Sequence, residues 1–133
     1  MSKKIPSPVE GWSDARFHSW ILNIIRKGTV FFPNRINAIN LAKVGRRKNS
    51  KTNRLAEHYK CALCQDQFPL KDIEVDHVEP VIPISGWKSW DDTIRRVFCR
   101  PSGWQVLCKQ CHIKKSAEEN LQRPKKIKRT KNV

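Results

Sequence analysis

Four cysteines of this 133-residue chain fall into two pairs, Cys61-Ala-Leu-Cys64 and Cys108-Lys-Gln-Cys111. Two such knuckles on one chain match a tetrahedral four-thiolate site for structural zinc. The fifth, Cys99, makes the count odd, so a disulfide framework fits poorly. Between the knuckles lies Asp76-His77, and His112 directly follows the second knuckle. Metal-dependent phosphodiester hydrolysis uses these groups. Asp76 and His112 offer ligand atoms to a second, catalytic divalent ion. His77, with an unperturbed imidazole pKa of about 6.5, suits a general base at neutral pH. His18 and His58 lie outside this constellation and read as structural or phosphate-facing.

The elements that must position these groups can be read around them. Residues 73–78 alternate and read as a strand that ends before Pro80. An ending there matters, because neighbours 76 and 77 point to opposite faces of a regular strand and share a cleft only where it stops. Residues 104–107 read as a second strand running into Cys108. A helix from Gln110 to about Leu121 then places His112, Ser116 and Glu119 on one face. Zinc would clip the start of the first strand to the start of this helix, holding a unit too small for a large apolar core.

Upstream, Ser13 and Asp14 can cap a helix whose Phe17, Trp20, Ile21, Ile24 and Ile25 recur at helical spacing, as far as Gly28. A second helix carries Ile36, Ile39, Asn40 and Lys43. A third runs from Asp91 to Phe98, with Ile94, Val97 and Phe98 as its apolar face and Cys99 as a buried thiol at its end. Residues 43–54 hold six basic side chains and no acidic one, and read as a solvated loop or phosphate-tracking arm. Arg46, Arg47, Lys48, Lys51 and Arg54, with Lys114 and Lys115 of the last helix, are the candidate DNA contacts. The chain is thus expected to be one small α+β domain. Residues 1–55 form a basic helical extension, 56–121 the site-bearing domain and 122–133 a disordered basic tail.

Charge supports a polyanionic partner. Lys and Arg number 27 against 12 Asp and Glu, a net charge of +15. Residues 1–60 carry 13 basic and 3 acidic side chains, residues 61–99 carry 4 and 7, and residues 100–133 carry 10 and 2. An excess of this size points to nucleic acid. The acidic middle fits with it if a divalent cation sits between carboxylate and phosphate. No stretch approaches the 18 or so apolar residues of a membrane span, and no apolar run follows Lys3 and Lys4 as in a secretory signal. A cytoplasmic location without membrane association is expected.

CALC, VDHVEP and WQVLCKQCHIKKS resemble the HNH family of endonucleases, in its zinc-knuckle subgroup, over residues 58–119. GWKSWDDTIRRVFC, with the basic segment before Cys61, is similar to HNH proteins of tailed bacteriophages. The resemblance implies a ββα-metal finger and hydrolysis of DNA phosphodiesters with a single catalytic ion such as Mg2+, Mn2+ or Ni2+. It implies that His77 is the general base, that Asp76 and His112 hold the ion, and that Cys61, Cys64, Cys108 and Cys111 hold structural zinc. It also implies a phage-encoded protein acting in the host cell cytoplasm. One position departs: where the family commonly has Asn, this chain has Gly103, which removes a brace on the loop carrying the base. Asn120 or Ser102 are candidate substitutes. Two other readings stay open. One is a non-catalytic, zinc-stabilised nucleic-acid-binding module; the other is a module with other phage proteins as partners, for which cleavage is one activity.

Overall fold

The computed structural model describes residues 4–124. Helix α1 (Asp14–Lys27) starts where the Ser13 side chain accepts a hydrogen bond from the Arg16 amide, and stops at Gly28. Helix α2 (Pro33–Ala42) begins on a proline, whose missing N–H costs nothing in a first helical turn. Three strands follow as an antiparallel sheet in the order β1 (Lys43–Lys48), β2 (Leu55–Lys60) and β3 (Gln67–Pro69). A second antiparallel pair joins β4 (Ile73–His77) to β5 (Trp104–Cys108), with Asp76 opposite Gln105 and His77 opposite Trp104. Helix α3 (Trp90–Val97) lies in the long connection between them, and α4 (Lys109–Gln122) runs directly out of β5. The architecture is α+β with two small antiparallel sheets.

The basic stretch 43–54 is a strand and a turn, not a loop throughout. β1 pairs with β2 from Lys48↔Leu55 back to Lys43↔Tyr59, with a register shift between Lys43 and Gly45. Gly45 has φ +108, a conformation that side-chain-bearing residues avoid. β1 shows no apolar alternation because it is an edge strand with Arg46, Arg47 and Lys48 exposed. Such charge also blocks pairing with other chains. Pairing with β2, rather than its own periodicity, makes this segment a strand.

Two small clusters form the core. Tyr59, Ile73 and Val106 pack with Ile39 and Ala42 of α2, while Leu107 packs with Cys61 and Cys108. Leu107 and Cys61 are fully buried, so Leu107→Ala should cost about 2–5 kcal/mol. Helix α1 packs differently from its apolar periodicity. Trp20 and Ile24 are about half exposed, and His18 is the buried residue. Its ring lies 4.7 Å from each of the Trp87 and Trp90 rings. Of the tail expected over 122–133, residues 125–133 lie outside the described residues. Gln122 ends α4, and the Arg123 guanidinium donates to the carbonyls of Ile82 and Pro83 at 2.9 and 3.1 Å, tying the helix end to the long connection. No described helix is long and apolar enough to cross a membrane.

Candidate functional site

The four knuckle cysteines meet in space. Their sulfur atoms all lie within 4.8 Å of one another, with Cys64 Sγ and Cys108 Sγ 3.9 Å apart. Zn–S bonds of about 2.3 Å place tetrahedral sulfurs about 3.8 Å apart, so the cluster is the right size for one zinc ion. Each knuckle is shaped by an amide pointing at sulfur: Cys64 N–H at Cys61 Sγ, 3.5 Å, and Cys111 N–H at Cys108 Sγ, 3.4 Å. Cys108 also caps the N-terminus of α4, where the helix dipole favours negative charge.

Burial works against a Cys61 thiolate, yet hydrogen bonds from backbone at Cys108, Cys64 and Leu63 outweigh it and lower the thiol to about 6. Cys111, facing Cys108 and partly desolvated, is pushed up to about 12. Without a cation the cluster cannot hold four thiolates together; with a dication it can. The first knuckle belongs to the turn between β2 and β3, not to the start of β4. It reaches β5 through the Ala62 amide, which donates to the Val106 carbonyl at 2.8 Å. A metal here therefore stitches the three-stranded sheet to the β5–α4 junction.

Starting from His112, the residue after Cys111, a second group gathers at the end of β4. Asp76 and His77 both line an open cleft of about 510 Å³, with His112, Lys115, Ser116 and Glu119 of α4. The strand ends at His77, as Pro80 suggested, so the two neighbours share the cleft. Asp76 Oδ1 lies 3.8 Å from His112 Nε2. Asp76 Oδ2 is buried, and its near neighbour is the Lys115 ammonium, 2.9 Å away. The other oxygen, Oδ1, faces the imidazole nitrogen of His112, and a carboxylate oxygen beside an imidazole nitrogen can hold a hard divalent ion.

His77 is held on two sides. Its ring lies 4.0 Å from the Trp104 ring, and its Nε2 lies 2.8 Å from the Val97 carbonyl at the end of α3. A carbonyl only accepts, so Nε2 carries the proton and Nδ1 keeps the lone pair. Burial lowers the His77 pKa; the bond to Val97 and the charge of Asp76 oppose this, and the Arg26 and Lys115 cations add to it. The ring is thus neutral near pH 7.

The segment after His77 is braced by backbone. Val78 N–H donates to the Gly103 carbonyl at 2.8 Å, and Lys115 donates to the His77 carbonyl at 3.0 Å. Gly103 itself has no room for a side chain, since a Cβ there would sit 2.5 Å from Cys99 Sγ.

Lys115, a candidate DNA contact by sequence, instead turns inward onto Asp76, Glu119 and the His77 carbonyl. Burial disfavours its charge, yet Glu119 and Asp76 outweigh that and raise its pKa. Its position three residues after His112, on the same helix face, is the signal that could have found it. Arg46, Arg47, Lys48, Lys51, Arg54 and Lys114 are exposed. Lys48 and Lys51 border a separate hollow near Cys108, away from the cleft. His58 is buried, its Nδ1 2.8 Å from the Ala56 carbonyl, a structural placement. Val97, Arg26, Arg35 and Arg123 also contribute to the site or its walls and carry no local motif. Comparison with known proteins adds no relative: no family model matches the chain, and neither the curated proteins nor the solved structures yield a match.

Proposed function

We propose that this chain is a metal-dependent DNA endonuclease of the HNH type, its β4–β5–α4 unit serving as the ββα-metal finger. One observation carries the reading: Asp76 Oδ1 lies 3.8 Å from His112 Nε2 in a cleft that also holds a neutral, backbone-fixed His77. A divalent ion such as Mg2+, Mn2+ or Ni2+ between Asp76 and His112 would supply positive charge for the scissile phosphate and the departing oxygen. His77 Nδ1 takes a proton from water as the water oxygen bonds to phosphorus. The bond to the leaving oxygen breaks, and that oxygen keeps the electron pair. The Val97 carbonyl holds the ring in the tautomer this requires, and Lys115 fixes the backbone beneath it. Zinc on the four cysteines would hold α4 against the sheets and take no part in the chemistry. Exposed cations on β1 and α4 would track the DNA backbone.

A second reading, a zinc-stabilised nucleic-acid-binding module without catalysis, has one observation in its favour. Lys115 already neutralises Asp76, as an internal cation would in a site that takes no metal. Supercoiled plasmid separates the two. Incubated with Mg2+, Mn2+ or Ni2+, the wild type should nick or linearise it, while His77→Ala should bind it and cut slowly. Binding without cutting in any of these metals would leave the module as the account.

A further inference from the structure

We infer that Arg26 and Arg35, supplied by the two N-terminal helices, are the phosphate-binding cations of the cleft and contact the scissile phosphodiester directly. This rests on the nuclease reading for the word scissile, but not for phosphate binding. Both residues line the cleft opposite α4, with Asp76, His77 and His112. Its other cations are committed elsewhere: Lys115 to Asp76 and Glu119, and Arg123 to the carbonyls of Ile82 and Pro83. Arg26 and Arg35 are in no ion pair among the described residues. The only side-chain bond there is a long one, from Arg35 Nη1 to the Val30 carbonyl at 3.4 Å. They are thus the guanidinium groups left free, and a planar five-donor fork suits phosphate oxygens.

The helices hold these two residues against the cleft rather than leaving them on a loose arm. The turn between α1 and α2 is pinned by Thr29 Oγ1 donating to the Arg26 carbonyl at 2.8 Å and by Phe32 N–H donating to the Thr29 carbonyl at 2.9 Å. Phe32 packs edge-on against Phe98 and lies 6.2 Å from Trp104, whose ring in turn touches His77. Asn34, next to Arg35, donates to the Cys99 carbonyl at 3.0 Å. The turn that carries the arginines is therefore linked through Phe32 to Trp104, the ring that also holds His77. The basic strand β1 does not serve instead: none of its cations lines the cleft, and Lys48 borders a different hollow. A phosphoryl transition state gains negative charge on its oxygens, and preorganised cations stabilise that charge more than the ground state.

The test uses the full chain with its zinc. Arg26→Ala and Arg35→Ala should each lower kcat at least tenfold on duplex DNA, and the double variant at least a hundredfold, with KM within threefold of wild type. Arg26→Lys and Arg35→Lys should recover part of the loss. Arg46→Ala, on β1, should instead raise KM and flatten the salt dependence. Independently, a dithymidine phosphodiester, added without divalent ions beyond the zinc, should shift the Nε–H resonances of both arginines in a nitrogen-15 spectrum. A double variant that keeps its zinc and cuts at the wild-type rate would overturn the inference and leave the nuclease reading intact. If the wild type cuts nothing, that reading fails and the titration decides alone: shifts at Arg26 and Arg35 support the phosphate site, and their absence removes it.

Discussion

His77 Nε2 lies 2.8 Å from the carbonyl oxygen of Val97, twenty residues further along the chain. The bond leaves Nδ1 as the only basic atom of the ring, and it makes α3 a support for the strand end. Roles within the cleft then separate by variant. His77→Ala should keep its affinity for DNA and divalent metal and lose about 10²–10⁴ in rate, the usual cost of removing a general base. Asp76→Ala and His112→Ala should lose rate through weakened ion binding, so higher metal should restore part of it. Metal titrations of cleavage distinguish the two patterns. A His77→Ala protein within threefold of wild type, free of contaminating nuclease, would take His77 out of the mechanism.

The two kinds of cysteine should respond differently to substitution. Cys108 joins the four-sulfur cluster and caps α4, whereas Cys99 lies outside the cluster, its thiol pushed up chiefly by burial. Cys108→Ser should abolish stoichiometric zinc and unfold or greatly weaken the domain, since zinc binding of this kind contributes about 10–16 kcal/mol in small zinc-finger peptides. Cys99→Ser should retain one zinc per chain. Elemental analysis with thermal melts reads both. Zinc lost from the Cys99 variant, or absent from the wild type, would refute the assignment.

What could be read in the sequence was what local spacing encodes. Two CxxC pairs must each bend into a knuckle, and the Asp76-His77 pair before Pro80 must fall at a strand end, so the cluster and the core of the cleft were legible. The β1 strand was not, because an edge strand rich in Arg and Lys gains its order from β2 and shows no period of its own. The inward turn of Lys115 was legible only in part: its place three residues after His112 and four before Glu119 sets it on the cleft face, but Asp76, which also draws it in, comes from another element. The apolar stripe of α1 suggested Trp20 and Ile24 for the core, yet Trp87 and Trp90 take His18 instead. Such pairings span tens of residues and leave no local trace. The same holds for the Val97 brace on His77.

Gly103 and Cys99 should prove energetically coupled. A Cβ at position 103 would lie 2.5 Å from Cys99 Sγ and 3.1 Å from its Cβ, so even alanine forces a shift. Gly103→Ala should destabilise by about 1–3 kcal/mol, typical of overpacking. Gly103→Asn should cost at least as much and give no gain in activity, because the bond from Val78 to the Gly103 carbonyl already braces the loop. In a double-mutant cycle by urea unfolding, adding Cys99→Ala should recover part of the Gly103→Ala loss. Strict additivity would show that the sulfur is not the obstacle.

His18 should make the docking of α1 depend on pH. Its ring is buried between Trp87 and Trp90, Nδ1 has no hydrogen-bond partner, and burial, with a smaller contribution from the Lys4 charge, lowers its pKa. Above the unfolded value of about 6.5, both states hold a neutral imidazole and the contribution to stability is complete. As pH falls through that value, the unfolded chain takes up a proton that the folded ring resists, so stability declines until the folded pKa is reached. His18→Phe keeps the aromatic packing and removes the titration. Urea unfolding at pH 7.5 and 5.5, followed by tryptophan fluorescence, should show a larger acid loss in wild type than in His18→Phe. Every other titratable group is common to both proteins, so the difference between the two isolates His18. Equal losses would mean that α1 is held without regard to the charge of this ring.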